Sequence, residues 1–311
     1  MMKKTLIALL TTVALSTSAC AAEEQSSVTK TAQTTAQATV KTATASLNTG
    51  FNAPADAWRE LDPENTLYID LEYGRVVLEL YPEIAPLHVA QIKTLARQTF
   101  YDGISFHRVI EGFMNQTGDP TGTGTGDSEL PDIQGEFTFR RAPSMPVTLV
   151  GARAAQGGQE IGVGFYKALP VATQPSSQAI LTKDGKVAAF GLHCKGVTSM
   201  ARTSDPNSAN SQFFLMRDIA QHLDAQYSIW GNTVLGHEHL TKIKVGSKGE
   251  DPNFIPDVMK KVQIAADVPA AERVKVQVLK TDSPAFKNYL KTQKKADGTY
   301  PDICDIRVPT R

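Results

Sequence analysis

Fourteen residues, Phe106 to Asp119 (FHRVIEGFMNQTGD), constrain this chain more than any other stretch. They form two short runs on either side of Gly112, a residue that tolerates the backbone bend of a tight reversal. Side chains on a strand alternate between faces, so Arg108 and Ile110 share one face of the first run, and Met114 and Gln116 share one face of the second. If the two faces meet across the bend, the long hydrogen-bond donors Arg108 and Gln116 lie beside an apolar lining expected from Phe106, Val109, Ile110, Phe113 and Met114. A pocket wall and an ordinary hairpin with a snorkelling Arg both fit this stretch alone.

Two further stretches shift the balance: Ser199–Arg217 (SMARTSDPNSANSQFFLMR) and His222–Gly231 (HLDAQYSIWG). With FHRVIEGFMNQTGD, and in this order, they resemble the cyclophilin family of peptidyl-prolyl cis-trans isomerases in a bacterial exported form. FHR, GFMNQ-GD and NSQFF are independent elements, and with Thr66–Phe100 the resemblance covers roughly half of the chain. It implies a mainly β fold, a closed eight-stranded antiparallel barrel capped by two helices.

Rotation about an X-Pro bond breaks amide resonance against a barrier of ~18–20 kcal/mol, while the two isomers differ by only about 0.5–1 kcal/mol. No covalent bond is broken, so no nucleophile, metal or cofactor is needed. The catalyst must hold the proline ring and grip the twisted amide more tightly than either planar one. The resemblance implies that Arg108 donates to the prolyl nitrogen as it turns pyramidal, a hydrogen bond the planar amide does not accept. A planar, permanently charged guanidinium suits that role better than Lys. Gln116 is the second catalytic residue implied, holding a substrate carbonyl. Phe113, Met114, Phe214 and Leu223 match the family's proline pocket. Ala201 and the backbone of Arg202 match the groove segment that pairs with substrate main chain, and Gln212 matches a groove-lining Gln. His222 stands where many members carry Trp, which implies weaker binding of the cyclic peptide cyclosporin, and Tyr227 stands where many carry His beside the pocket. The partners implied are proline-containing unfolded or extended polypeptides. The alternative is a non-catalytic chaperone or scaffold using the same groove; Arg108 argues against it, because a pure binder has no need of the donor.

The chain carries 32 basic and 32 acidic residues, a formal charge of +0, which leaves no global electrostatic footprint for nucleic acid. A hydrophobic content of 41% is enough for a substantial core. Residues 1–21 carry Lys3 and Lys4, an apolar run from Leu6 to Leu15 too short to span a bilayer, and the small-residue ending Ala19-Cys20-Ala21, which reads as a secretory signal peptide. Cleavage after Ala21 is expected, giving an exported, periplasmic protein; the rival is processing at Cys20 to a lipid-anchored N-terminus. Both export the chain. In an oxidising compartment Cys194 and Cys304 either form a disulfide or stay free, and the sequence leaves this open. His193 beside Cys194 lacks the further ligands of a closed zinc site. A monomer is expected.

Residues 22–50 are rich in Ala, Thr, Ser and Gln and poor in large apolar residues, a flexible linker. The cyclophilin-like domain is expected over 51–267, with an insertion at about 138–196 and a C-terminal extension over 268–311 packed on the domain. Trp58 is an expected packing anchor, Leu67–Leu71 and Arg75–Tyr81 a hairpin, and Pro86–Gln98 a helix with Val89, Ile92, Leu95 and Ala96 at helical spacing. Gly122, Gly124 and Gly126 fit no phosphate-loop pattern and predict a mobile loop instead. Within the insertion, Gly151–Gly164 is Gly-rich, Pro170–Ser177 reads as a loop, and Ala179–Leu181 with Val187–Phe190 as a small hairpin around Lys183-Asp184-Gly185. Val197–Arg202, Phe213–Met216, Val258–Ala265 and Val274–Leu279 are expected strands, and Ser283-Pro284 opens a helix to about Lys294. His237, Glu238 and His239 read as a solvated helix start rather than a metal cluster.

Overall fold

The computed structural model describes residues 51–154 and 160–311. The expected signal peptide (1–21) and linker (22–50), with Cys20, lie outside the described residues. The elements run β1 (Trp58–Glu60), β2 (Thr66–Leu71), β3 (Gly74–Leu80), α1 (Pro86–Arg97), β4 (Arg108–Ile110) and β5 (Met114–Thr117). Next come β6 (Phe139–Arg141), β7 (Thr148–Ala154), β8 (Glu160–Tyr166), β9 (Leu169–Thr173) and β10 (Val187–Gly191). The remainder is β11 (Val197–Met200), β12 (Phe213–Met216), β13 (Ile229–Leu235), α2 (His237–Leu240), β14 (Gly246–Ser247), β15 (Lys261–Ile264), β16 (Gln277–Leu279) and α3 (Pro284–Thr292).

The first hairpin forms where β-branched residues alternate on either side of Gly74, whose φ of +134° is open to glycine. Its register sets Asp70 opposite Arg75, and their side chains pair at 2.6 Å. Pro86 sits in the first turn of α1, where its missing N–H costs nothing, and the helix turns Val89, Ile92, Leu95 and Ala96 inward. These elements join a nine-stranded antiparallel sheet of order β14-β4-β5-β12-β11-β13-β3-β2-β15.

This sheet curls into a half-barrel, and its ladder is open, unlike the closed eight-stranded barrel expected. Its two ends approach through an isolated bridge, Ser105 to Val258, with Gly103 N–H donating to the carbonyl of Met259 at 2.7 Å and Phe106 N–H to that of Asp257 at 2.9 Å. The pairing there runs over too few residues to make a closing strand. The expected strand over Val258–Ala265 is correspondingly shorter, Lys261–Ile264.

Both faces of the sheet are apolar. Leu67, Ile69, Val76, Leu78, Val109, Phe213, Leu215 and Trp230 face an inner core with α1. Their alternates Tyr68, Val77, Met114, Phe214 and Met216 belong to an outer core. Two added layers cover that outer face. β6 to β10 form a second, five-stranded antiparallel sheet of order β6-β10-β9-β8-β7, contributing Phe139, Phe165, Leu169, Val171 and Ala189. β1 pairs with β16, and the C-terminal residues add Phe286, Leu290, Ile303, Ile306 and Val308. Arg59 of β1 binds the buried Glu79 of β3 through both carboxylate oxygens at 2.7 Å, and Tyr81 Oη donates to the same group at 3.0 Å. Trp58 is buried in this layer, as expected of an anchor. Cys194 and Cys304 form a disulfide with Cα atoms 4.9 Å apart, tying the end of the second sheet to the C-terminal segment.

The second sheet corrects two expectations and gives the Gly-rich stretch its place. The described part of Gly151–Gly164 lies in β7 and β8, because the glycines allow close approach: a Cβ on Gly164 would lie 2.3 Å from the carbonyl oxygen of Thr148. Pro170 belongs to β9 rather than a loop; it sits near the strand's start, and its carbonyl still accepts from Leu192 N–H at 3.0 Å. Ala179–Leu181 ends a 3-10 turn instead of pairing with β10. Nor is the start of α2 solvated: His239 is buried, and Gly74 has no Cβ because the His239 ring fills that space.

Candidate active site

Antiparallel register sets Arg108 opposite Gln116, Gln116 opposite Phe214, and Phe214 opposite Ser199, across β4, β5, β12 and β11. Residues directly opposite one another project from the same face, so this row crosses the sheet's outer side. Gly112, at φ +66°, makes the bend that brings β4 and β5 together. Arg108 Nη1 donates to Gln116 Oε1 at 3.1 Å and lies 3.9 Å from Met114 Sδ. Gln116 Nε2 donates to Gln212 Oε1 at 3.1 Å, and Gln212 Nε2 donates to the carbonyls of Gly124 and Gly126 at 3.1 and 3.0 Å. One directional chain of hydrogen bonds therefore runs from the guanidinium to the Gly-rich loop. It leaves Nε and Nη2 of Arg108 without a hydrogen-bond partner among the described residues.

That loop wraps a carboxylate of its own. Asp119 accepts from the backbone N–H of Thr121 at 2.7 Å, from its hydroxyl at 2.8 Å, and from the N–H of Gly124. Burial pushes the Asp119 pKa up, but the hydrogen bonds from Thr121, Gly124 and Gly126 outweigh it and hold the carboxyl below its usual range. The amides a phosphate would need are thus taken by Asp119.

Beside this chain lies an apolar depression. Met114, Phe214 and Leu223 are buried in the outer core, and Phe113, Ala201 and Tyr227 pack against it, half-buried. The ring of Phe113 stacks on exposed His222, with centroids 5.9 Å apart, and Phe214 meets Tyr227 edge-on at 5.7 Å. The Arg202 guanidinium sits over the Tyr227 ring at 4.6 Å and the Phe137 ring at 5.3 Å, and donates to the carbonyls of Gln226 and Thr203. Ala201 N–H donates to the carbonyl of Gln212 at 2.9 Å. The structure therefore gathers Arg108, Gln116, Phe113, Met114, Ala201, Arg202, Gln212, Phe214, His222, Leu223 and Tyr227 on one side of the curled sheet. Val109, expected in the lining, points the other way into the inner core, as period two demands of a residue next to Arg108, and Phe106, which precedes β4, is buried in the same inner core. Ile110 is 37% exposed.

A guanidinium beside an apolar cluster of this kind is the geometry of a site that binds a small apolar group and polarises an adjacent atom. Comparison with known proteins agrees. The family model described as "Cyclophilin type peptidyl-prolyl cis-trans isomerase/CLD" matches residues 66–264. The chain belongs to the cyclophilin family. A protein of Brucella suis named "Probable peptidyl-prolyl cis-trans isomerase" is 36% identical over 218 residues, 66% of this chain and 85% of that one. Peptidyl-prolyl cis-trans isomerase B of Bacillus subtilis is 29% identical over 200 residues, 64% of this chain and 97% of that one. The crystal structure of the cyclophilin AquaCyp293 from Hirschia baltica superposes with a TM-score of 0.73 at 37% identity, covering 82% of this chain and 92% of that one. The activity is that of a peptidyl-prolyl cis-trans isomerase.

Around the cyclophilin groove, sequence reasoning passed over His193, Ser199, Asp224 and Phe137. Phe137 supplies the second ring under Arg202, a contact that no local pattern reports. The sequence places His193 only beside Cys194, whereas its side-chain partners are Ser199 and Asp224.

Proposed function

We propose that this cyclophilin is exported and isomerises X-Pro bonds of unfolded or extended polypeptides, assisting their folding, with Arg108 and Gln116 as the catalytic pair. Uncatalysed, such bonds relax in tens to hundreds of seconds, slow enough to limit folding. The carrying observation is the placement of Arg108: anchored through Nη1 to Gln116, it keeps further N–H groups for a ligand at the edge of the Met114, Phe214 and Leu223 depression. With the proline ring seated there and the preceding carbonyl held by Gln116, the amide turns about its C–N bond. The nitrogen then gains the lone pair that Arg108 meets, so the interaction stabilises the twisted amide and not the planar ones. Export is supported by the leader-like residues 1–21 and by the Cys194–Cys304 disulfide, a bond that persists in oxidising compartments.

A hydrogen bond to a charged group is worth about 1.5–3 kcal/mol, so Arg108→Ala should lower kcat by roughly 10- to 100-fold. A protease-coupled isomerisation assay on an Ala-Pro peptide measures this, with circular dichroism as the check on folding. Equal rates in a folded variant would remove Arg108 from the mechanism.

A further inference from the structure

His193 follows β10 of the second sheet, yet its imidazole lies beneath the groove, with no exposed side-chain surface. Both ring nitrogens are engaged. Nδ1 is 3.0 Å from Asp224 Oδ1, and Nε2 is 2.9 Å from the Ser199 hydroxyl. One tautomer satisfies both contacts, with Nδ1–H donating to the carboxylate and Nε2 accepting from Ser199. The backbone N–H of His193 donates to the same Asp224 oxygen at 2.8 Å, and its carbonyl accepts from Ala220 N–H at 3.0 Å. Arg153 of β7 donates to the other Asp224 oxygen at 2.7 Å. Ser199 is wholly buried, so this Ser-His-Asp arrangement has no path to a substrate and is not a nucleophilic site.

Its neighbours give it another use. The imidazole stacks on Phe214, with centroids 6.2 Å apart and planes 20° from parallel. Asp224 immediately follows the turn Gln221–Leu223, which carries His222 and Leu223. His193 therefore touches the Phe214 ring directly and holds the 220–224 turn by backbone and side chain together. Phe214 and that turn are two walls of one depression, and the wholly buried imidazole places its contacts in a low-dielectric interior, so they confine the turn closely.

We propose that His193 is a positioning residue of the proline pocket, through which the second sheet sets how tightly the chain grips X-Pro substrates. The proposal rests on the pocket assignment above. A pocket wall meets the proline ring alike in planar and twisted states, so loosening it removes uniform binding: KM rises and kcat stays. Arg108 acts only on the twisted state, and its loss lowers kcat instead.

The test measures kcat and KM for an Ala-Pro peptide on residues 22–311 and on the variants His193→Phe, His193→Asn, Asp224→Asn and Arg108→Ala. His193→Phe keeps a ring on Phe214 but loses both hydrogen bonds, and is expected to raise KM roughly fivefold or more with kcat within about twofold. Asp224→Asn should move KM the same way. His193→Asn, whose amide can stand in for Nδ1–H, should return KM toward the wild-type value. A merely structural role would lower the melting temperature of His193→Phe and leave KM unchanged, and that result overturns the proposal. Should His193→Phe not fold, a wild-type KM in Asp224→Asn overturns it equally. Arg108→Ala separates the two levels: unchanged kcat there refutes the site itself, whereas reduced kcat with wild-type KM in the other variants refutes only the role of His193.

Discussion

Replacing both Cys194 and Cys304 by Ala removes a cross-link between residues 110 apart in sequence. In the chain-entropy treatment, a loop of that length restricts the unfolded ensemble by about 4.7 kcal/mol, while measured native disulfides span about 2–5 kcal/mol. A Cα separation of 4.9 Å falls within the ordinary range for a disulfide, so little of this should be lost to distortion of the native backbone. The segment that Cys304 anchors keeps its own apolar contacts, since Ile303, Ile306 and Val308 are each buried. The double variant should therefore fold, with a stability lower by about 2–5 kcal/mol. Urea unfolding of residues 22–311 followed by tryptophan emission is a suitable assay, because Trp230 reports the inner core and Trp58 the outer. Wild type in reducing agent should match the double variant. If the double variant unfolds within about 0.5 kcal/mol of the oxidised wild type, the cross-link carries no stability and the reasoning fails.

Two further outcomes are expected. Burial holds His107, His237 and His239 below the ordinary value of 6.5, His237 at about 3, so the unfolded chain takes up protons first as pH falls. Stability from these groups is complete above about pH 6.5 and declines below it; the melting temperature should drop between pH 7.5 and 4.5, and a flat profile would contradict this. For export, intact mass of the mature protein should show an N-terminus at Ala22, or lipidated Cys20 in the membrane fraction. A retained Met1 in all fractions would refute secretion.

Where one periodicity ruled, the sequence was readable. The alternation in Leu67–Tyr81 became β2 and β3, and helical spacing after Pro86 became α1. Period two paired Arg108 with Ile110 and Met114 with Gln116, and the register of β4 on β5 joins the two faces. The same rule, carried through, would have kept Val109 out of the lining; Phe106 escaped it because it precedes β4 and does not follow the strand's alternation. The second sheet was hidden because its strands are written in residues that usually end strands: Gly162 and Gly164 in β8, and Pro170 in β9. Close packing required the glycines, and only the partner strand reveals that. His193 and Asp224 were opaque for another reason. They lie 31 residues apart, and their meeting depends on how the second sheet returns to the first, which no local pattern encodes.

The apolar outer face has a consequence for how such a chain can change. Tyr68, Val77, Val197 and Met216 would meet water if residues 138–196 and the C-terminal segment were cut away, and fully buried side chains of this kind are worth about 1.5–3 kcal/mol each. Such trimming would thus leave an adhesive, aggregation-prone shell rather than a leaner enzyme. Casing and barrel wall have to be altered together, so any shortened form needs its outward strand positions rewritten as polar before it can stay in solution.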